Sequence, residues 1–384
     1  MSTTGIICEY NPFHLGHKKQ FDLIRQKDPH GAIVCLMSGS FVQRGKPAIV
    51  NKMARAEAAV NTGADLVLEL PVTAALSSAE GFASMGISIL SLICDQLCFG
   101  AEAAESDRLM NTAGALLTGD FRECLRAELD KGLSFPAARQ AALGQMGLDA
   151  ALLSQPNNIL AVEYCKAILS QKSSMQPMAI FRDGDYHDTQ ADSDNPSATA
   201  VRKLMVEKGN WEKFVPAECV SAFQQAVLHD ISYGEIAILT KLRSMTDEEF
   251  EALPYGSEGL WRKLMHASRS KATLEEILEE TKSKRYTRTR LDRMVMCAFL
   301  GITDETLRSP VPYTRVLAFN DKGRQILKKT RKQGTFVNIG ETVNEPYQRL
   351  EDRCGTLYGL FAKQPENPDI ERNYRVYYKK NAED

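Results

Sequence analysis

Three features are missing from this chain of 384 residues: a long apolar run, a Cys-x-x-Cys pair and an excess of positive charge. No apolar stretch approaches the roughly 20 residues that span a membrane, which excludes a membrane protein. Nine cysteines without metal-ligand spacing, in a chain without a secretory leader, are interpreted as reduced thiols and predict a cytoplasmic protein. The net charge of −2 excludes a generally basic nucleic-acid binder and leaves room for a local basic patch.

The length and composition indicate a globular protein of more than one domain. A chain of 384 residues exceeds what one ordinary core accommodates, and its 43% hydrophobic and 25% charged residues are typical of soluble proteins. We predict an α/β nucleotide-binding domain over 1–190, a helical and basic domain over 191–309, and a small C-terminal α/β region over 310–384.

Apolar runs alternate with helical patterns in the first half of the chain. Strands are predicted over 5–9, 32–37, 66–70, 96–99 and 178–181, with helices starting near Leu15, Lys52, Ala79 and Glu105. This alternation predicts βαβ units and a Rossmann-like parallel sheet. Ligands of such sheets bind beyond the carboxyl ends of the strands, which singles out Gly100 after the fourth strand and Arg182 after the fifth.

The second half has a different pattern. From about residue 192 the pattern is mainly helical, with Asn195-Pro196-Ser197 as a helix start signal. After residue 312, a strand over 315–319, a helix over 323–330 and a strand over 335–339 predict a small α/β cap.

Two histidines three residues apart follow the first strand in the heptapeptide NPFHLGH, residues 11–17. Pro12 ends the strand, so a helix begins near residue 13 or 14. One helix face then points at the sheet and carries His14, His17, Phe21 and Ile24. The unpaired amides at the helix start favour phosphate, imidazolium donors would add charge-assisted contacts, and Gly16 permits close approach. The alternative, a histidine pair that merely completes a core stripe, explains the proline break and the glycine less well.

A second group of donors lies at the predicted start of a helix. Ser197, Thr199 and Arg202 offer two hydroxyls and a guanidinium, which would clamp the β- and γ-phosphates from the side opposite the histidines. The alternative is an ordinary capped helix with a solvated arginine.

Two more polar segments accompany these donors. Asn157 and Asn158 open a further helix, and their amides would read an adenine edge or a ribose, although capping alone explains one of them. The glycine-rich, basic segment 38–47 follows the second strand and would form a mobile loop over the site.

A basic run distinguishes the helical region. From Arg262 to Arg293 there are ten lysines and arginines against five acidic residues. Arg285, Arg288 and Arg290 are interleaved with an aromatic residue and hydroxyls, a mixture suited to RNA phosphates and bases. The alternative is a solvated helix face.

Together, five motifs resemble the bacterial tRNA(Met) cytidine acetate ligase family of the HxGH nucleotidyltransferases: NPFHLGH, SGSFVQRG, GADLVLELP, PNNILAVEY and IFRDGDYHD. The resemblance covers most of the chain. It implies a ligase that uses ATP, and Mg²⁺ with it, to activate acetate as acetyl-adenylate, and then acetylates the wobble cytidine of elongator tRNA(Met). Its partners would be that tRNA and acetate, with neither DNA nor a membrane.

The resemblance also implies site residues. The catalytic residues would be His14, His17 and Arg182. The ATP site would comprise Ile7, Cys8, Glu9, Tyr10, Asn11, Pro12, Phe13, His14, Leu15, Gly16, His17, Lys18, Lys19, Gln20, Gly100, Asn157, Asn158 and Arg182. The RNA contacts would be Arg285, Arg288 and Arg290. No metal ligand and no general base for the cytidine amine is identified.

The histidine motif by itself leaves two other functions open. One is a small-molecule adenylyltransferase that acts on a phosphorylated substrate, for which the basic helical region would have no purpose. The other is a non-catalytic RNA-binding protein, against which the intact His14, Gly16 and His17 argue.

Overall fold

The computed structural model describes residues 1–182, 197–283, 285–330, 335–338 and 345–380. Residues 183–188 of the IFRDGDYHD motif, the start signal Asn195-Pro196 and the predicted boundary at 190/191 lie outside the described residues. So does Lys284, within the basic run.

The described part of the chain contains ten strands and nineteen α-helices. The strands are β1 (Thr3–Cys8), β2 (Ala32–Ser38), β3 (Phe41–Val42), β4 (Lys46–Pro47), β5 (Leu66–Leu70), β6 (Gln96–Ala101), β7 (Gln176–Phe181), β8 (Thr314–Phe319), β9 (Phe336–Asn338) and β10 (Tyr377–Tyr378). The helices of the first half are α1 (Leu15–Lys27), α2 (Lys52–Thr62), α3 (Val72–Ala75), α4 (Ala79–Leu90), α5 (Ser106–Leu116), α6 (Gly119–Asp130), α7 (Phe135–Gln145) and α8 (Pro156–Ser170). Those of the second half are α9 (Ala198–Val206), α10 (Ala217–Gln224), α11 (Glu235–Ser244), α12 (Asp247–Glu251), α13 (Leu260–Ser270), α14 (Leu274–Thr281), α15 (Arg288–Leu300), α16 (Asp304–Arg308), α17 (Asp321–Thr330), α18 (Glu345–Tyr358) and α19 (Ile370–Asn373).

One large sheet organises the molecule. Its strand order is β10-β8-β5-β2-β1-β6-β7, with β9 paired to β8. The five strands predicted in the first half are present and pair in parallel, which confirms the Rossmann-like α/β fold. The carboxyl ends of β1, β2, β6 and β7 therefore meet at one edge, where a ligand of this fold class binds.

The central strands are buried on both faces, and this is why they form continuous apolar runs in the sequence. On β2, Val34 and Leu36 join one core cluster, whereas Cys35 and Met37 join the cluster on the opposite face. A third cluster fills the helical region between α11 and α16 and includes Phe41 from the β3–β4 segment. No helix in the described part of the chain is long and apolar enough to cross a bilayer.

The C-terminal residues form the strands and helix expected of them and complete the sheet of the first half. β8 pairs antiparallel with β5, and β9 and β10 extend the sheet from β8. The predicted C-terminal cap is thus continuous with the nucleotide-binding region.

Most local predictions hold within a few residues. The strand over 66–70 and the helix starts at Leu15, Lys52 and Ala79 agree with the structure. The helix expected from Glu105 begins one residue later. Gly100 lies inside β6 rather than after it, because that strand runs two residues further than predicted.

Candidate active site

A cavity of about 610 Å³ opens at the carboxyl edge of the sheet. Its walls come from β1 and the start of α1, from the segment joining β3 to β4, and from the starts of α8 and α9. Among the predicted ATP-site residues it is lined by Ile7, Cys8, Glu9, Tyr10, Asn11, His14, His17, Gln20, Gly100, Asn157 and Arg182. The structure thus gathers segments that are distant in sequence around one space.

The two histidines cap helix α1. The Nδ1 atom of His14 accepts a hydrogen bond from the backbone N–H of Gly16 at 3.1 Å, and the Nδ1 atom of His17 accepts one from the N–H of His14 at 3.2 Å. The rings stack with centroids 3.7 Å apart. Because both Nδ1 atoms accept hydrogen bonds, the ring protons lie on Nε2, and each histidine has one N–H left to donate.

The expectation of imidazolium donors is wrong for this arrangement. Burial lowers the pKa of His14 to about 3, and the nearby Arg182 and Arg202 contribute to that lowering. Burial, then His14 and Arg182, also holds the pKa of His17 well below its ordinary value. Both rings are therefore neutral near pH 7, and each can offer an Nε2–H donor while the arginines supply the positive charge.

The predicted clamp residues line the same cavity as the histidines. Ser197, Thr199 and Arg202 all line it. Arg202 donates to the backbone oxygen of Asn11 at 2.6 Å and to Thr199 Oγ1 at 3.0 Å, so it joins the start of α9 to the histidine motif. Ser197 accepts from the N–H of Ala200 as the N-cap of α9, which is the ordinary role weighed against the clamp.

Asn157 and Asn158 have different positions. Asn157 lines the cavity and accepts a hydrogen bond from Arg182 at 3.4 Å. Asn158 is buried, and its amide oxygen accepts from the N–H of Ala103. Asn158 therefore positions the start of α8 and does not line the cavity.

Glu102 was not identified from the sequence. Its carboxylate accepts hydrogen bonds from the backbone N–H groups of Asn157 and Asn158 and from the Asn157 side chain, at 2.7 to 3.2 Å. It thereby fixes the start of α8 to the end of β6. In the sequence, Glu102 is an acidic residue just after a predicted strand. That position indicates a role only once α8 is known to pack beside it.

Gly100 and Arg182 are adjacent. A Cβ atom at Gly100 would lie 3.4 Å from Arg182 Cδ, so the space beside the glycine is occupied by the arginine stem. Other predicted residues are not part of the lining: Pro12, Phe13, Leu15, Gly16, Lys18, Lys19 and Asn158. Phe13 is fully buried, so its role in the motif is to pack in the core.

The segment expected to be a mobile loop is a short hairpin, residues 41–47, made of β3 and β4. Phe41 and Val42 are buried in the helical core, and Gln43 lines the cavity. The N–H of Gln43 donates to Glu9 Oε1 at 2.9 Å. The hairpin therefore connects the end of β1 to the helical region.

A fully buried arginine, Arg55 on α2, holds the ends of β1 and β2. It donates to the backbone oxygens of Val50, Glu9, Ser38 and Gly39. Sequence reasoning missed it, because an arginine in an alanine-rich helix is typical of a surface position.

The arginines of the basic run lie outside the cavity lining. Arg285 pairs with Glu258 at 2.8 Å, and Arg290 donates to the backbone oxygen of Tyr255 at 2.7 Å. Arg288 contacts three carboxylates, those of Glu275, Glu279 and Asp292. The RNA-binding role of these arginines stays a prediction, and a nucleic acid would have to compete with these partners.

A metal site of the protein's own is absent from the described residues. They contain no group of three histidine, cysteine or acidic side chains placed to hold an ion. Mg²⁺ at nucleotide sites is usually held by substrate phosphates and water with one or two carboxylates, so the Mg²⁺ that the resemblance implies stays a prediction.

Comparison with known proteins agrees with this geometry. A family model described as HIGH Nucleotidyl Transferase matches residues 1–373. The tRNA(Met) cytidine acetate ligase of Acetivibrio thermocellus is 36% identical over 95% of this chain and 96% of its own length. That of Clostridium novyi is 37% identical over 94% of this chain and 96% of its own length.

Two solved structures share the whole architecture. Thermotoga maritima TmcAL in its apo form superposes with a TM-score of 0.91 at 28% identity, covering 99% of this chain and 100% of that one. The same protein bound with alpha-thio ATP gives a TM-score of 0.88 at 27% identity over the same shares. With a matching family model and near full-length relatives above 30% identity, this chain belongs to the tRNA(Met) cytidine acetate ligase family of HIGH nucleotidyl transferases.

Proposed function

We propose that this protein is an ATP-dependent ligase that activates acetate as acetyl-adenylate and acetylates the wobble cytidine of elongator tRNA(Met). The observation that carries the proposal is the convergence of neutral histidine donors and two arginines on one cavity at the sheet edge. The names of the relatives supply the substrate, and the thio-ATP complex of the Thermotoga protein supplies the nucleotide.

The donors suit adenylate formation. An acetate oxygen attacks the α-phosphorus of ATP, a new P–O bond forms, and the bond to pyrophosphate breaks. Negative charge grows on the phosphoryl oxygens and on the leaving group. The Nε2–H groups of His14 and His17 and the guanidinium groups of Arg182 and Arg202 line the same cavity and would stabilise that charge, so catalysis would be mainly positioning and electrostatic stabilisation.

The second step requires an exposed base. The wobble cytidine must leave the anticodon stack for its exocyclic amine to reach the adenylate. The β3–β4 hairpin contacts both the sheet edge and helix α15, at whose start the basic run ends. This hairpin would therefore connect an anticodon loop bound to that run with the cavity.

The two steps can be assayed separately. Acetate-dependent exchange of pyrophosphate into ATP reports adenylate formation, and mass analysis of the tRNA reports transfer. We expect exchange with acetate alone, and acetylation of a tRNA(Met) transcript with C34 but not of a matched transcript with U34. Absence of acetate-dependent exchange, or equal acetylation of both transcripts, would contradict the proposal.

A further inference from the structure

The transfer step releases a proton for which the sequence offered no acceptor. When the cytidine amine attacks the acetyl carbon, its nitrogen gains a bond and must lose a proton before the product is neutral. A positioned base contributes about 10²- to 10⁴-fold to such steps. The acceptor must lie in the cavity and have a free lone pair.

The histidines of the cavity do not meet this requirement. His14 and His17 use Nδ1 to accept backbone N–H groups, so Nε2 already carries the proton. His229, which also lines the cavity, has Nδ1 3.0 Å from the oxygen of Val227 and Nε2 2.7 Å from Glu366. Both of its nitrogens are therefore engaged.

Three carboxylates line the cavity within the described residues: Glu9, Glu207 and Asp230. Glu207 is exposed just beyond the end of α9. One oxygen of Asp230 accepts from both the N–H and the hydroxyl of Ser232, at 2.9 and 2.6 Å, so Asp230 serves a local turn. Only Glu9 comes from the sheet edge, directly after β1 and five residues before His14.

The structure holds Glu9 in place. Its Oε1 atom accepts the N–H of Gln43 at 2.9 Å, and its backbone oxygen accepts from the buried Arg55 at 2.7 Å. Its Oε2 atom has no hydrogen-bond partner among the residues that the structure describes. A carboxylate beside ATP and acetate would repel both anions, whereas beside an amine that is losing a proton it is a suitable acceptor.

We propose that Glu9 accepts the proton of the cytidine amine during acetyl transfer. The amine nitrogen forms a bond to the acetyl carbon, and its proton passes to Glu9 Oε2. The bond between the acetyl carbon and the phosphate oxygen then breaks, and its electron pair leaves with AMP. Glu9 afterwards returns the proton to water. The inference rests on the proposed function and assigns a role within its second step.

Single-turnover transfer from preformed acetyl-adenylate to tRNA(Met) tests the inference. Glu9→Gln keeps an oxygen that accepts the Gln43 N–H and removes the base. We expect this variant to lower the transfer rate about 100-fold or more, a larger factor than any loss of adenylate formation. Glu207→Gln, at the same cavity, is the matched control and should keep the wild-type rate.

Each possible result of these experiments either supports the inference or overturns it. Transfer by Glu9→Gln at the wild-type rate would overturn the inference. Equal losses in both steps would overturn it too, because Glu9 would then act on the nucleotide. Glu9→Asp, which keeps the carboxylate, should restore part of the transfer rate, and its failure to exceed Glu9→Gln would count against a base. A wild-type protein that forms no acetyl-adenylate would instead refute the proposed function.

Discussion

Burial is the main cause that lowers the pKa of His14 and of His17, and Arg182, which lies outside the motif, lowers both pKa values further. The His14 side chain is buried and that of His17 is half-buried. A neutral imidazole that donates through Nε2 binds phosphate without the repulsion that two adjacent imidazolium ions would suffer at a ring separation of 3.7 Å. Positive charge is left to the two arginines, which stay charged at any working pH.

We expect His14→Ala and His17→Ala each to reduce acetate-dependent pyrophosphate exchange by about 10²- to 10³-fold, the range typical of losing one transition-state donor. His14 also caps α1, so His14→Ala should lower the free energy of unfolding by about 1 kcal/mol. His30→Ala is the matched control, since His30 is exposed in the same domain. Exchange at the wild-type rate in both active-site variants would refute their assigned roles.

Sequence reasoning placed the histidines correctly and misjudged their protonation. Their position follows from a local pattern, strand, proline and helix start, which needs no tertiary information. Their pKa values depend on burial in the folded chain and on Arg182, which lies more than 160 residues further along the chain. Arg55 and Glu102 were missed for the same reason, because their partners are backbone groups that only the folded chain brings together.

At the scale of elements, the β3–β4 hairpin determines how the sheet meets the helical region. Gly45 at its turn has φ +73°, and a Cβ there would lie 2.5 Å from the backbone nitrogen of Arg293 on α15. Glycine is required at this position twice over, by the left-handed conformation and by the close approach of α15.

We expect Gly45→Ala to displace the hairpin from α15, to lower the free energy of unfolding by about 2 to 4 kcal/mol and to impair acetyl transfer. The matched control is Gly147→Ala. Gly147 has φ +72°, but a Cβ added there would have nothing within 4 Å, so the control carries the conformational strain without the clash. Urea unfolding of both variants measures the difference. Equal destabilisation of the two variants would show that the contact between Gly45 and α15 contributes nothing to stability.

The strands and helices could be predicted from the sequence more completely than the pairing of the strands. The buried strands β2 and β5 form continuous apolar runs, and α1, α2 and α4 have clear start signals. The antiparallel pairing of β8 with β5 could not be predicted, because nothing local to Thr314–Phe319 indicates a partner so far back in the chain. The hairpin has the sequence pattern of a loop because its strands have only two residues each.

At the scale of the whole molecule, a buried cluster of five charges ties the C-terminal region to the sheet. Lys52 on α2 pairs with Glu69 and Glu371, and Arg315 on β8 pairs with Glu69, Glu351 and Glu371. Two cations thus face three carboxylates. Burial raises the pKa of Glu351 to about 7, with Arg315 opposing that rise, so one proton brings the cluster to neutrality.

This cluster predicts a pH dependence of stability. The folded pKa of Glu351, about 7, is above its ordinary value of 4.5, so between these values the folded state holds a proton that the unfolded chain has lost. The free energy of unfolding therefore falls as pH rises through this window. We expect Glu351→Gln, which cannot ionise, to gain stability relative to the wild type between pH 5 and pH 8, by about 3 kcal/mol at most. Urea unfolding of the wild type and of Glu351→Gln at pH 5 and pH 8 measures this gain. A difference in the free energy of unfolding that does not change with pH would refute the prediction.

The exposed arginines of the basic run lead to a prediction about tRNA binding. The Arg285 side chain is 63% exposed and has one acidic partner, whereas the Arg288 side chain is 33% exposed and has three, so Arg285 is more open to a nucleic acid than Arg288. We expect Arg285→Gln to weaken tRNA(Met) binding and to lower the slope of log Kd against log salt by about one, while pyrophosphate exchange persists. Arg308→Gln, also in an exposed ion pair, is the control. An unchanged slope would show that Arg285 merely faces solvent.

The way in which β8, β9 and β10 complete the sheet has a consequence for synthesis on the ribosome. Until residues 314–378 have emerged, β5 has an open edge and Lys52 and Glu69 lack Arg315 and Glu371. A nascent chain therefore carries the nucleotide-binding residues long before it can stabilise the scaffold that aligns them. We expect such a chain to be unstable until residues 314–378 have been synthesised and have paired with β5.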